Sequence, residues 1–120
     1  MAKKDEQKIA GETLPPAPSR PSDQLSDSGW GYYAKKEYFR AEEDFRKALE
    51  LSPDDAELFY ALGMTYQASD RQADAISAFE KAIQLLENVQ AENQVRAHMM
   101  TRLARGHINI MKTGDWNLGG

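Results

Sequence analysis

Few side chains in this 120-residue chain are spaced to do covalent chemistry. His98 and His107, its two histidines, lie nine residues apart, whereas metal-binding pairs on one helix face usually lie four apart. There is no Cys, which excludes disulfides and thiolate zinc sites. Adjacent carboxylates occur at Glu42-Glu43 and Asp54-Asp55. The first pair falls on an outer helix face and the second at a helix start, so solvation and capping account for both. No phosphate loop or nucleophile elbow is present. The expectation is a non-enzymatic protein with no metal and no cofactor. Recognition chemistry remains: Trp30, Tyr33, Tyr60 and Met64 are large side chains of the kind that anchor apolar contacts.

The elements that must position them are helices. Leu25, Gly29 and Tyr32 recur at the helical period and predict a first helix over about 22–34, capped by Ser22 or Asp23. A turn at Lys35 and Lys36 leads to a second, over about 38–51. Ser52-Pro53-Asp54-Asp55 ends it, because Pro53 disfavours helical geometry at Ser52 and removes a donor. Asp54 or Asp55 can cap a third helix over about 55–68. Ser69-Asp70 breaks that one and can cap a fourth, over about 71–87. A longer fifth helix covers about 90–112 and is stopped by Gly114. Residues 1–21, with Leu14-Pro15-Pro16-Ala17-Pro18, read as a disordered tail of polyproline character. Residues 115–120 form a short second tail.

These elements repeat. At an offset of 34 residues Gly29 falls on Gly63, Tyr32 on Tyr66, Ala41 on Ala75, Phe45 on Phe79 and Ala48 on Ala82. Such a period marks stacked units that bury a shared core. The pattern of large apolar residue, Gly, Tyr, Ala, Phe, Ala and closing Pro resembles the tetratricopeptide repeat family. It reads Leu25, Gly29, Tyr32, Ala41, Phe45, Ala48 and Pro53. It then returns as Phe59, Gly63, Tyr66, Ala75, Phe79 and Ala82, with Glu87 in place of the second Pro. The resemblance implies an all-α fold, an α-α superhelix of two helix hairpins plus a long C-terminal fifth helix. Residues 22–53 would form the first unit, 54–89 the second, and 90–114 a capping helix or partial third unit. In that partial unit Leu103, Ile110, Gly114 and Trp116 look like the first half of another repeat.

Members of the family generally bind partners on a concave face lined by the first helix of each pair. Removing the core positions from those helices leaves Trp30 and Tyr33, then Tyr60, Met64 and Gln67, then Ala104, Ile108 and Met111. This expected groove is apolar and aromatic. Trp30 and Met64 stand where chaperone-binding members carry cationic or amide side chains that clamp carboxylates, so an apolar peptide or amphipathic helix of another protein is the expected occupant. The alternative is a homo-oligomerisation module that pairs through the fifth helix, with Met100, Ala97 and Arg105 at the contact and a homodimer as the product.

Charge and hydropathy narrow the partners. Residues 22–89 carry seven basic and 14 acidic side chains, while 90–120 carry four basic and two acidic. Arg96, Arg102, Arg105 and Lys112 are a poor footprint for phosphates beside so acidic a body, so no nucleic acid is expected. No apolar run approaches the roughly 20 residues that span a bilayer, and the N-terminus has no signal-like apolar core. The expected compartment is the cytoplasm, without membrane insertion.

Overall fold

The computed structural model describes residues 20–88 and 93–114. Five helices follow in order: α1 Asp23–Ala34, α2 Tyr38–Leu51, α3 Ala56–Ala68, α4 Gln72–Leu86 and α5 Gln94–Thr113. No strand occurs among the described residues. α1 pairs with α2 and α3 with α4; the two hairpins stack through α2 and α3, and α5 packs on α4. The two expected tails, residues 1–19 and 115–120, lie outside the described residues, as does the start expected for α5.

Small residues set how closely the helices approach. Gly29 and Gly63 are buried. A Cβ on either would sit 2.6 Å from Cε1 of the phenylalanine ring that crosses it, Phe45 or Phe79. Both rings are fully buried, as are Ala41, Ala48, Ala75 and Ala82. Burying such a ring stabilises by about 1.5–3 kcal/mol before entropy is counted. The 34-residue period is therefore a packing period: a ring from the second helix fills the gap left by a missing side chain on the first.

Helix ends repeat as well. After α1, Glu37 N–H reaches the Tyr32 carbonyl at 2.9 Å and Lys36 N–H reaches Tyr33 at 2.9 Å. After α3, Arg71 N–H reaches Tyr66 at 2.8 Å and Asp70 N–H reaches Gln67 at 3.2 Å. This paired pattern is the Schellman closure. It puts Lys36 (φ 64°) and Asp70 (φ 68°) in left-handed geometry, where Gly is the usual occupant. Lys36→Gly should raise unfolding stability by about 1 kcal/mol, read from urea midpoints. Asp70→Gly should gain less, since Asp tolerates this conformation better than Lys.

Three capping expectations resolve differently. Asp55 caps α3, accepting from the Glu57 N–H at 2.9 Å. Ser22 precedes α1 but makes no side-chain cap. Its buried hydroxyl instead accepts from Ser52 across the α2–α3 loop at 3.1 Å. Asp70 does not cap α4, because the left-handed turn places Arg71 at that position. Arg71 in turn joins a clasp between the hairpins: it reaches Glu42 at 2.7 Å and covers the Tyr66 ring at 4.4 Å. Burial opposes ionisation of Glu42, but hydrogen bonds from Arg46 and Arg71 hold its carboxyl below the usual range.

Candidate binding groove

The aromatic side chains singled out on the first helices each pack on rings of their own hairpin. The Trp30 ring packs edge-on against Phe45 and Tyr33, with centroids 5.2 and 5.3 Å apart. Tyr33 continues the row to Tyr38 at 5.6 Å. On α3, Tyr60 packs edge-on against Phe79 at 5.4 Å. Trp30 is exposed, while Tyr33, Tyr60, Met64 and Gln67 are half-buried. Burial pushes the Tyr60 phenol above its ordinary pKa, and the neighbouring Tyr33 adds to that shift. The phenols of α1 and α3 thus lie close enough to sense each other.

On α5 the expected trio falls on the wrong side. Ala104 is fully buried and Ile108 is 8% exposed, both within the core cluster, and Met111 is half-buried against it. These residues hold α5 to α4 and leave no open face. Gly106, which is buried, shows the register. It lies 43 residues after Gly63. At that offset Ala104 matches the fully buried Ala61, and Ile108 matches the buried Thr65. Gly106, rather than Gly114, therefore takes the repeat's glycine place, and Gly114 (φ 82°) only closes α5. Leu103, His107 and Ile110 then occupy the places of Tyr60, Met64 and Gln67.

Contacts agree with this register. The His107 ring stacks on Phe79 with centroids 5.1 Å apart and planes 4° apart, and its Nε2 lies 3.3 Å from the Tyr60 hydroxyl. Leu103, Ile110 and Met99 are exposed, and Val95 is 80% exposed. With Gly106 these residues form one apolar stripe of α5 at the helical period, and the buried glycine is the signal in the sequence that would set its register.

His107 also makes the fold sensitive to acid. Burial lowers its pKa below 6.5 in the folded chain. Above that value both states hold neutral imidazole and stability does not depend on it. Below it the unfolded chain takes the proton first, so stability falls until the folded pKa is passed, and is then level. Urea midpoints between about pH 8 and 5 should decline in the unsubstituted chain and decline less in His107→Phe. Parallel curves would show that His107 carries none of the effect.

Charged groups join the starts of the first helices. Arg96 of α5 reaches Glu57 of α3 at 2.8 Å. Arg20 reaches Asp55 at 2.7 Å and Asp23 at 3.0 Å, and lies 3.7 Å from Glu57. One ion-pair row thus joins the starts of α1, α3 and α5. Among the described residues, no group of three or more His, Cys, Asp or Glu side chains could hold a metal ion, and no helix is long and apolar enough to cross a membrane.

The residues proposed for self-association do not share a free face. Ala97 is buried, Met100 is half-buried, and Arg105 is exposed. Ala97 is therefore withdrawn from such a contact by its packing within the chain.

Two patterns of known families match this stack: "TPR repeat" over residues 31–70 and "Tetratricopeptide repeat" over residues 56–89. The chain belongs to the tetratricopeptide repeat family. Tetratricopeptide repeats make it a protein-interaction module. Its repeats are also similar to a peroxisomal targeting signal receptor of Candida albicans, at 34% identity over 76 residues. That match covers 63% of this chain and 13% of the receptor.

Proposed function

We propose that this chain receives an apolar segment of another protein, a peptide or one face of an amphipathic helix, in the groove across α1, α3 and α5. Trp30, Tyr33, Tyr60, Met64 and Gln67 line it from the first two helices. Leu103, His107 and Ile110 line it from α5, in place of Ala104, Ile108 and Met111. The units are residues 22–53 and 54–89, with residues 90–114 as the capping helix. The cytoplasm is the compartment we propose, since a cysteine-free chain needs no oxidising one. The name of the Candida relative, a receptor for a targeting signal, fits a module that receives part of another protein.

One observation carries this reading: at matching repeat positions α1, α3 and α5 carry large side chains that are exposed or only half-buried, Trp30 and Tyr33, Tyr60 and Met64, Leu103 and Ile110, while the outer positions of α1 and α5 are polar or lack a side chain. Where α3 presents the buried Leu58, Ala61 and Thr65 to α2, the matching positions of α1 are the exposed Gln24, Asp27 and Gly31. The positions of α5 that match Phe59, Leu62 and Tyr66 of α3 are Arg102, Arg105 and Asn109. Phe39 and Leu51 of α2 are exposed elsewhere, far apart in sequence. Grouped aromatic and Met side chains are the usual anchors of an interface, and apolar burial is little screened by salt.

The test starts from a partner segment captured from cell extract and identified by mass spectrometry. Its affinity for the chain should fall more than tenfold when Trp30→Ala and Tyr60→Ala are combined, with helicity unchanged by circular dichroism. It should change little between low and moderate salt. Equal affinity of the double variant would refute the groove.

A further inference from the structure

The groove has a candidate occupant within this chain. Arg20 is the first described residue, and its position is held from several sides. Its backbone N–H donates to the Asp23 carboxylate at 2.8 Å, and its guanidinium bonds Asp23 and Asp55. Two residues on, Ser22 is fully buried and bonded to Ser52. The chain therefore enters the fold at the starts of α1 and α3. Glu57, on which Arg96 of α5 also closes, stands at the groove end of that ion-pair row.

The residues just before this anchor have the right chemistry for the groove. From Thr13 to Ser19 the sequence is Thr-Leu-Pro-Pro-Ala-Pro-Ser, without a charge. Its prolines favour polyproline II, which has no internal hydrogen bonds and docks on aromatic-lined grooves at low entropic cost. The groove offers Trp30, Tyr33 and Tyr60 to such a segment. Length agrees as well. The six residues from Leu14 to Ser19 would span roughly 19 Å in polyproline II. Along α3, the ten steps from Glu57 to Gln67 rise about 15 Å. A segment joined to the mouth of the groove acts at an effective concentration of about millimolar, so weak contacts are enough to keep it there.

We propose that Leu14-Pro15-Pro16-Ala17-Pro18 lies in the groove over Trp30 and Tyr60, as an intramolecular competitor that a partner must displace. The role of competitor rests on the proposed function, whereas the docking of the segment is tested separately from it. The tethered segment shields Trp30 and sets a threshold that a partner's affinity must exceed.

The experiment uses the full chain with Trp116→Phe, which leaves Trp30 as its sole tryptophan. Acrylamide quenching of Trp30 is compared with and without Leu14→Ser, Pro15→Ser, Pro16→Ser and Pro18→Ser combined. Melting curves confirm that both chains fold. The substituted chain should show red-shifted emission and faster quenching. A synthetic peptide of residues 12–19 should restore shielding there and bind the unsubstituted chain at least tenfold more weakly, because the tethered copy competes. Equal quenching in both chains overturns the proposal. Shielding that vanishes on dilution together with a halving of mass in light scattering also overturns it, and assigns the groove to a second copy. Partner capture through Trp30 and Tyr60 with no change in quenching would defeat this inference alone. Shielding with no loss of capture in the groove variant would defeat the proposed function alone.

Discussion

Phe79→Ala should lower unfolding stability by about 3–5 kcal/mol, measured from urea midpoints at unchanged slope. Phe79 is fully buried, and three neighbours fix its ring. Gly63 lies against one face, Tyr60 meets it edge-on, and His107 stacks on it. Truncation removes the ring's transfer free energy and leaves a cavity that α3, α4 and α5 cannot close without shifting together. Since His107 of α5 stacks on Phe79 and meets Tyr60 of α3, the variant should also loosen α5. Hydrogen exchange should then speed up in α5 before it does in α2. An unchanged midpoint would mean that the ring is not the keystone its contacts indicate.

Gly63→Ala should cost about 3 kcal/mol, at the upper end of overpacking effects. The added Cβ would stand 2.6, 2.7 and 2.8 Å from three ring atoms of Phe79. Real carbon atoms do not approach so closely, so the ring or the helix must move. The ring cannot swing freely, because its other face carries His107. For a domain of this size that cost corresponds to a fall in melting temperature of about 10–20 °C. The effect belongs to the pair and not to the glycine alone. Combining Gly63→Ala with Phe79→Leu should therefore cost less than the two single changes added together. Strict additivity would show that the loss comes from elsewhere.

Much of the fold was legible in the residues because one physical demand recurs. Small side chains at Gly29, Gly63, Ala41, Ala75, Ala48 and Ala82 mark close helix approach, and large rings at Phe45 and Phe79 mark what fills it. The helix bounds followed from Pro53, the Ser69-Asp70 break and Gly114. Less legible was anything that a distant partner decides. Ser22 has the chemistry of a cap, but Ser52 claims its hydroxyl from across a loop. A turn was expected at Lys36, but a lysine gives no sign of the positive φ to which the Schellman closure draws it. On α5 the register was hidden because Asn109 stands where the repeat's Tyr would be, and no second helix follows among the described residues. Gly106 alone kept the place, and without burial values it looked like any helical glycine. Ala104 and Ile108 are drawn into the core for that reason, whereas Trp30 stays exposed and Tyr33 and Tyr60 half-buried.

The polar side chains at both ends of the stack have a further consequence. Gln24 and Asp27 at one end, and Arg102 and Arg105 at the other, are exposed where α3 carries buried or half-buried residues. A helical array with sticky ends can lengthen by head-to-tail addition, and these ends discourage it. Three first helices side by side, about 10 Å apart, put roughly 20 Å between the axes of α1 and α5. That distance is about six residues of extended chain or 13 of helix. On the proposed binding face that distance acts as a ruler: a partner received there as we propose would be read over a short motif.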